Sequence, residues 1–95
     1  MWDGIMYENR RSEIEIIGDI LTLSLNGARK TEILYQANLS YTQLKNYLPF
    51  LLKNNILEIK TIQHNGNNAC KMYHITSKGQ KLLGSIHKTL SFFQL

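Results

Sequence analysis

Cysteine is nearly absent from this chain, because Cys70 is the single thiol among 95 residues. One cysteine cannot form a disulfide bond within the chain, so the sequence excludes a disulfide-stapled scaffold. Proteins without disulfide bonds are typical of reducing compartments. We therefore expect a cytoplasmic protein.

Long hydrophobic runs are absent as well. No stretch approaches the ~18 consecutive apolar residues of a membrane-spanning helix. The first residues, MWDGIMYENRR, lack the basic start and apolar run of a signal peptide, so no membrane partner is expected. Residues 1–11 are predicted to form an N-terminal arm that docks onto a neighbouring surface, because burial of each large apolar side chain is worth roughly 1.5–3 kcal/mol. These side chains are Trp2, Ile5, Met6 and Tyr7.

Acidic residues are scarce in the C-terminal two-thirds of the chain. Residues 33–95 hold seven lysines against Glu58 alone, for a net charge of +6. Residues 1–32 hold four basic and six acidic residues, for a net charge of −2. A basic surface suits a polyanionic partner such as nucleic acid. The alternative is a basic surface that serves only solubility.

Residue patterns for catalysis or metal binding are also lacking. The sequence has no glycine-rich phosphate loop, and its serines fall at predicted helix caps or on predicted surfaces. We therefore expect no enzymatic activity. His64, Cys70 and His74 match no zinc-site spacing and lack a fourth ligand, so neither a metal nor another cofactor is predicted.

The first predicted helix spans residues 10–25. Its apolar face is centred on Ile17, and apolar residues cover so much of its circumference that neighbours are expected on two sides. Gly18 lowers the intrinsic stability of a helix, which suggests that it permits a close helix crossing. Gly27 is expected to end the helix in the left-handed conformation.

A helix-turn-helix is predicted from Lys30 to Asn55. Thr31 is the expected N-cap of its first helix, and the turn Asn38-Leu39-Ser40 leads into a second helix capped by Ser40. We expect Leu39 to be buried in the turn. Pro49 lacks an amide hydrogen, so a bend of the second helix is expected there.

A β-hairpin is predicted after the helix-turn-helix. Residues 56–62 are rich in β-branched side chains and partly alternate, which is typical of a strand. Residues 70–75 return as the partner strand, with Tyr73 and Ile75 facing inward. Asn65-Gly66 between the two segments is a strong signal for a hairpin turn.

A family resemblance is carried by three segments: EIEIIGDIL, ILYQANLSYTQLKNYL and YHITSKGQKLL. They resemble the small archaeal winged helix-turn-helix DNA-binding proteins, from Ser12 to about Leu83. The resemblance implies an α+β, mostly helical fold with three helices, a two-stranded wing and a C-terminal helix. Some members of that family are abundant DNA-associated proteins that dimerise through a long C-terminal coiled coil. Pro49, the longer wing and the shorter last helix depart from the family pattern.

The predicted function is binding of duplex DNA, as a transcriptional regulator or a chromatin-associated protein of the nucleoid. In helix-turn-helix proteins the start of the second helix enters the major groove, which here is the helix over residues 40–54. The wing over residues 61–70 is expected to reach the backbone or the minor groove. The predicted DNA-binding residues are Arg29, Lys30, Thr31, Ser40, Tyr41, Thr42, Gln43, Lys45, Asn46, Lys53, Lys60, His64, Asn65, Asn67, Asn68 and Lys71. The alternative is a winged-helix module that binds another protein within a larger assembly.

A homodimer is predicted through the last helix, which follows Thr76 and is expected over residues 77–95. Apolar residues repeat there at the spacing of a coiled coil, and the predicted interface residues are Leu83, Ile86, Leu90 and Phe93. The alternative is that this helix covers the first helix of its own chain. The whole chain is predicted to be a single domain, with the arm at residues 1–11 and a winged-helix core at residues 12–76.

Overall fold

The computed structural model describes residues 11–64 and 68–93. The described elements, in chain order, are α1 (Glu13–Leu23), α2 (Lys30–Gln36), α3 (Tyr41–Lys53), β1 (Leu57–His64), β2 (Asn68–Ile75) and α4 (Ser77–Ser91). This order of three helices, an antiparallel hairpin and a last helix confirms the predicted fold class. The predicted arm up to residue 10 and the Asn65-Gly66 turn lie outside the described residues. Within the described part, no helix is long and apolar enough to cross a membrane.

Helix α1 begins later than predicted, at a capping box. Ser12 Oγ accepts a hydrogen bond from the Glu15 amide at 3.2 Å, and the Glu15 carboxylate accepts one from the Ser12 amide at 2.9 Å. These bonds satisfy amides that the helix itself leaves unpaired. They also hold the pKa of the Glu15 carboxyl below its ordinary value, with the backbone bond as the larger cause.

The buried face of α1 is displaced from the predicted centre. Ile16, Ile20 and Leu21 are buried, whereas Ile17 is half-buried and Ile14 is 43% exposed. The prediction that Ile17 marks the centre is therefore wrong. The physical reason is that α2 and α4 pack on adjacent sides of α1 and leave Ile14 in an open groove. The expectation of neighbours on two sides is confirmed.

Helix α2 is fixed by a tight turn that precedes it. Gly27 has the predicted positive φ, 91°, but it does not end the first helix: α1 ends at Leu23 with Ser24 as its C-cap, and Gly27 lies in the turn between α1 and α2. The predicted N-cap, Thr31, is wrong: Arg29 occupies the cap position, and its amide donates a hydrogen bond of 2.8 Å to the Glu32 carboxylate. The carboxylate sets the N-cap of α2 two residues before Thr31 because it can reach back by one turn.

Helix α3 is anchored to the core by Leu44, Leu48 and Leu51, which are all buried. Asn38 has a φ of 54° in the turn before the helix, and Leu39 is buried, as predicted. The helix continues past Pro49 to Lys53.

The two strands pair in one antiparallel register, with Leu57 opposite Ile75 and Ile59 opposite Tyr73. Tyr73 and Ile75 are buried, as predicted. Tyr73 also exchanges two backbone hydrogen bonds with Ala28, of 2.7 and 3.0 Å. These bonds attach the start of the helix-turn-helix to the base of the wing, so the two parts have a fixed relative position.

Helix α4 packs on α1 within the same chain. Thr76 caps it by accepting the Gly79 amide at 2.9 Å. A Cβ added at Gly18 would lie 3.3 Å from Ile86 Cγ2, so Gly18 permits the predicted close crossing. The helix ends at Ser91 and is shorter than the predicted 77–95.

Two of the predicted dimer residues belong to the core of the chain itself. Leu83 and Ile86 are both 6% exposed, so little of either side chain remains for a partner. For these two residues the alternative, in which the last helix covers the first, is correct. The predicted interface is reduced to Leu90, which is half-buried, and Phe93, which is 72% exposed.

Candidate nucleic-acid interface

The first two turns of α3 present a polar, exposed surface. Ser40 caps the helix by accepting the Gln43 amide at 3.1 Å, as predicted. Tyr41, Thr42, Lys45 and Asn46 are exposed beyond the cap. Because the buried leucines hold the other side of the helix, these polar side chains point away from the core. The structure therefore places most of the α3 residues that are predicted to bind DNA on one exposed surface.

Gln43 occupies a different position from the rest of this group. Its side-chain oxygen accepts a hydrogen bond of 2.9 Å from the Ser40 amide, and the residue is only partly exposed. In this arrangement the amide oxygen is already used by the cap. Gln43 therefore stabilises the start of α3, and it would have to leave the cap before it could pair bidentately with a base.

Lys45 lies beside an exposed aromatic ring. Its Nζ is 5.5 Å from the centroid of the Tyr41 ring, which is a cation–π distance. Tyr41 is 62% exposed. The two residues form a cationic and aromatic edge at the start of α3, and such an edge suits a phosphate group and an adjacent sugar or base.

The start of α2 lies next to this edge. Arg29, Lys30 and Thr31 are exposed, and Lys30 lines one cleft together with Lys45. Lys30 of α2 and Lys45 of α3 are therefore brought together in space. Lys53 is also exposed, but it lies at the far end of α3, eight residues and roughly 12 Å from Lys45.

The residues of the wing that are predicted to contact DNA lie on both faces of the hairpin. Lys60 is paired with Met72 and Thr61 with Lys71 in the strand register. Because successive residues of a strand point to opposite faces, Lys60 and Lys71 lie on different sides of the sheet. One face of the wing can therefore present only one of these lysines. The predicted contacts through Asn65 and Asn67 lie outside the described residues, as do the side chains of His64 and Asn68.

Arg11 is a functional candidate that the sequence did not indicate. Its guanidinium donates a hydrogen bond of 2.6 Å to the Asp19 carboxylate and another of 3.0 Å to the Asn38 carbonyl. Arg11 thus connects α1 with the turn that orients α3. No signal in the sequence could have identified it, because its partners are 8 and 27 residues away.

A carboxylate borders the polar surface of α3 at Asn46. Glu13 lines a cleft of about 450 Å³ together with Gln43, Asn46, Tyr47 and other residues of α1 and α3. Burial raises the pKa of the Tyr47 hydroxyl above its ordinary value, the Glu13 charge raises it further, and Arg11 acts in the opposite direction. The negative charge of Glu13 makes this edge of the α3 surface less suited to a phosphate backbone than the edge formed by Lys45 and Tyr41.

Replacement of Glu13 by glutamine tests whether its negative charge weakens DNA binding. Removing the carboxylate is expected to increase affinity for duplex DNA by about two- to threefold at low salt, because an exposed charge contributes roughly 0.2–1 kcal/mol. It should also lower the pKa of Tyr47, although burial keeps that pKa above the ordinary tyrosine value. Fluorescence anisotropy measures the affinity, and NMR titration of labelled tyrosine measures the pKa. An unchanged affinity would place Glu13 away from the nucleic acid.

The described residues contain no group of three histidine, cysteine or acidic side chains placed to hold a metal ion. Cys70 Sγ lies 3.9 Å from Met72 Sδ, which is a weak sulfur contact within one strand. His74 packs against Gly27, where an added Cβ would lie 2.6 Å from the imidazole ring.

Comparison with known proteins gives three findings. A family model described as winged helix-turn-helix matches residues 10–92. The crystal structure of Sso10a-2, a DNA-binding protein from Sulfolobus solfataricus, is similar at a TM-score of 0.72 and 32% identity, over 88% of this chain and 83% of that one. An uncharacterized protein of Methanocaldococcus jannaschii is 29% identical over 83% of this chain and 73% of its own length.

A further similarity concerns the fold alone. The circadian clock associated protein Pex from Anabaena matches with a TM-score of 0.66 at 20% identity, over 98% of this chain and 95% of that one. Similarity at this level of identity shows that the order and packing of the elements recur in a second kind of protein.

Proposed function

The chain belongs to the winged helix-turn-helix family, and on this premise we propose that it binds duplex DNA with α3 in the major groove. The observation that carries the proposal is the capped start of α3, which exposes Tyr41, Thr42, Lys45 and Asn46 on one surface. A helix held by its apolar side, with hydrogen-bonding and cationic groups on the other, has the chemistry of a recognition helix. The similarity to Sso10a-2, a DNA-binding protein, supports the same conclusion.

The contacts are proposed to divide by type. Asn46 is suited to an adenine edge, whereas the cationic groups Lys30, Lys45 and Lys53 are suited to phosphates. Lys60 or Lys71 would extend the contact along the backbone, depending on which face of the wing meets the duplex. The role that follows is that of a transcriptional regulator or chromatin-associated protein, without enzymatic activity. We further propose that the protein acts as a homodimer in the nucleoid of the cytoplasm.

A module that binds another protein is the second candidate. It is favoured by exposed aromatic side chains outside the polar face of α3, including Phe50 at 53% and Phe92 at 78% exposure. Measuring DNA affinity over a salt series distinguishes the two functions. Binding to DNA through phosphates must weaken steeply as salt rises, because counterions are released on binding. An affinity that stays constant between low and physiological salt would contradict the DNA proposal.

Removal of two α3 cations tests which surface meets the duplex. Lys45→Ala combined with Lys53→Ala is expected to weaken binding to all sequences. It should also reduce the slope of log K against log salt by about 1 for each phosphate that the variant no longer neutralises. Fluorescence anisotropy over a salt series gives the slope. Lys81→Ala combined with Lys88→Ala is the matched control, since both lysines are exposed on α4, away from the proposed face. An equal effect of the two double variants would move the DNA surface off α3.

A further inference from the structure

A cleft beside the proposed DNA-binding face combines apolar walls with two cations. It encloses about 250 Å³ between α2, α3 and β2. Leu48, Pro49, Leu52 and Tyr73 contribute its apolar surface, and Leu48 and Tyr73 are buried at its base. The volume is below the roughly 300–1,000 Å³ of pockets for drug-sized ligands, so the cleft suits a smaller molecule.

The two charged residues that line this cleft are both positive. Lys30 and Lys45 are exposed and line it together, and no acidic residue contributes to its lining. Within the described residues the one ion pair joins Arg11 and Asp19, so neither lysine is neutralised by a carboxylate there. Two like charges beside an apolar base complement a ligand with one anionic end and an apolar body.

We propose that this cleft binds a small amphiphilic carboxylate and that its occupation weakens DNA binding. The carboxylate would lie between Lys30 and Lys45, and an apolar body of about six to eight carbons would cover Leu48, Leu52 and Tyr73. A purely polar anion such as acetate lacks the apolar body, and a neutral analogue lacks the charge. The ligand class is therefore an aryl or medium-chain monocarboxylate.

The expected loss of DNA affinity arises because the two cations of the cleft also belong to the proposed DNA-binding surface. This part of the inference therefore rests on the proposed function. Lys30 and Lys45 belong to the surface proposed to bind phosphates, so a bound carboxylate neutralises the charges that the duplex needs. Binding of the two ligands is then negatively coupled, and the coupling is reciprocal. If the two are mutually exclusive, a ligand at ten times its dissociation constant weakens the apparent DNA affinity by about tenfold.

The ligand site is tested first in the absence of DNA. The full chain is titrated with benzoate, and the amide shifts of Leu48, Leu52 and Tyr73 are followed by NMR. We expect saturable shifts there with a dissociation constant near ~1 mM, which is the range for a ligand of this size. Benzamide, which is neutral, and benzylamine, which is cationic, test whether binding requires a negative charge. Acetate at equal ionic strength, which lacks the ring, tests whether binding requires the apolar body. No shift up to 20-fold above that constant (~20 mM), shifts elsewhere, or equal binding of benzamide would overturn the proposal.

The coupling is tested by measuring DNA affinity with and without benzoate. A tenfold loss with benzoate, absent with acetate at equal ionic strength, supports the proposal, and an unchanged affinity at saturating benzoate overturns it. Leu52→Gln places a polar group in the cleft outside the proposed DNA face, so it should bind DNA normally and lose the benzoate effect. The shift mapping on the unaltered chain locates the site even if this variant does not fold. A chain that fails to bind DNA without any ligand contradicts the proposed function instead, and leaves the benzoate titration as a separate result.

Discussion

Replacing Gly79 by alanine is expected to destabilise the fold by about 2–3 kcal/mol, the upper part of the range for overpacking a tight core. An added Cβ would collide with the backbone carbonyl oxygen of Ile56, and it would lie 2.7 Å from Ile75 Cγ1. A backbone carbonyl cannot move aside in the way that the end of a flexible side chain can. It belongs to the segment that joins α3 to the wing, where Thr76 donates to the same oxygen at 3.0 Å through its amide.

The same helix offers the matched control for this substitution. Gly84 lies in the interior of α4, is exposed, and has no atom within 4 Å of an added Cβ. Gly84→Ala is therefore expected to raise the free energy of unfolding by about 0.5–1 kcal/mol, through helix propensity alone. Urea denaturation followed by circular dichroism measures both changes. Equal effects of the two alanines would show that α4 does not pack closely against the chain at Ile56.

The junction at Gly79 connects the recognition helix with the wing. The side chain of Lys78 donates to the Asn54 carbonyl at 2.9 Å, at the end of α3. Thr76 Oγ1 donates to the Asn55 carbonyl at 2.7 Å, where Asn55 has a φ of 62°. The start of α4 thus holds the last turn of α3, so displacing α4 at Gly79 would loosen the end of α3 relative to the wing.

Local sequence signals predicted the elements that depend on neighbouring residues. Ser40 and Gln43 are three positions apart and form the cap of α3, and Gly27 and Asn38 adopt positive φ as their residue types suggest. The N-cap of α2 was predicted wrongly because two local capping signals compete there. Thr31 is the better capping residue by type, but the Glu32 carboxylate accepts the amide of Arg29, three residues earlier, and so fixes the cap there.

Contacts between distant residues could not be predicted in this way. Periodicity showed that Leu83 and Ile86 face something apolar, but it could not tell whether the partner is α1 of the same chain or a second copy. The structure assigns both residues to the core. The meeting of Lys30 with Lys45 and the bond from Arg11 to the turn before α3 are equally invisible in the sequence, because they depend on how the helices cross.

The remaining apolar surface of α1 and α4 is where we expect a second copy to bind. Ile14, 43% exposed, lines with Leu82 and Thr89 an apolar groove of about 220 Å³ between the two helices. Phe93 lies two residues beyond the end of α4 and is 72% exposed. Exposed aromatic and apolar surfaces of this kind are typical of an interface. A two-fold dimer would also place two α3 helices on one duplex, which requires a separation of about 34 Å between them.

Leu90→Glu combined with Phe93→Glu is accordingly expected to make the protein monomeric and to reduce DNA affinity by about 10²-fold, because the second half-site then no longer binds within the same complex. Multi-angle light scattering measures the mass, and anisotropy measures the affinity. Gln80→Glu with His87→Glu is the control, since it adds the same charge at exposed positions of α4. Phe93→Glu alone separates dimer loss from instability, because Leu90 packs partly against the core and Phe93 does not. A dimer that survives both variants would move the interface to another surface, with the arm at residues 1–11 as the next candidate.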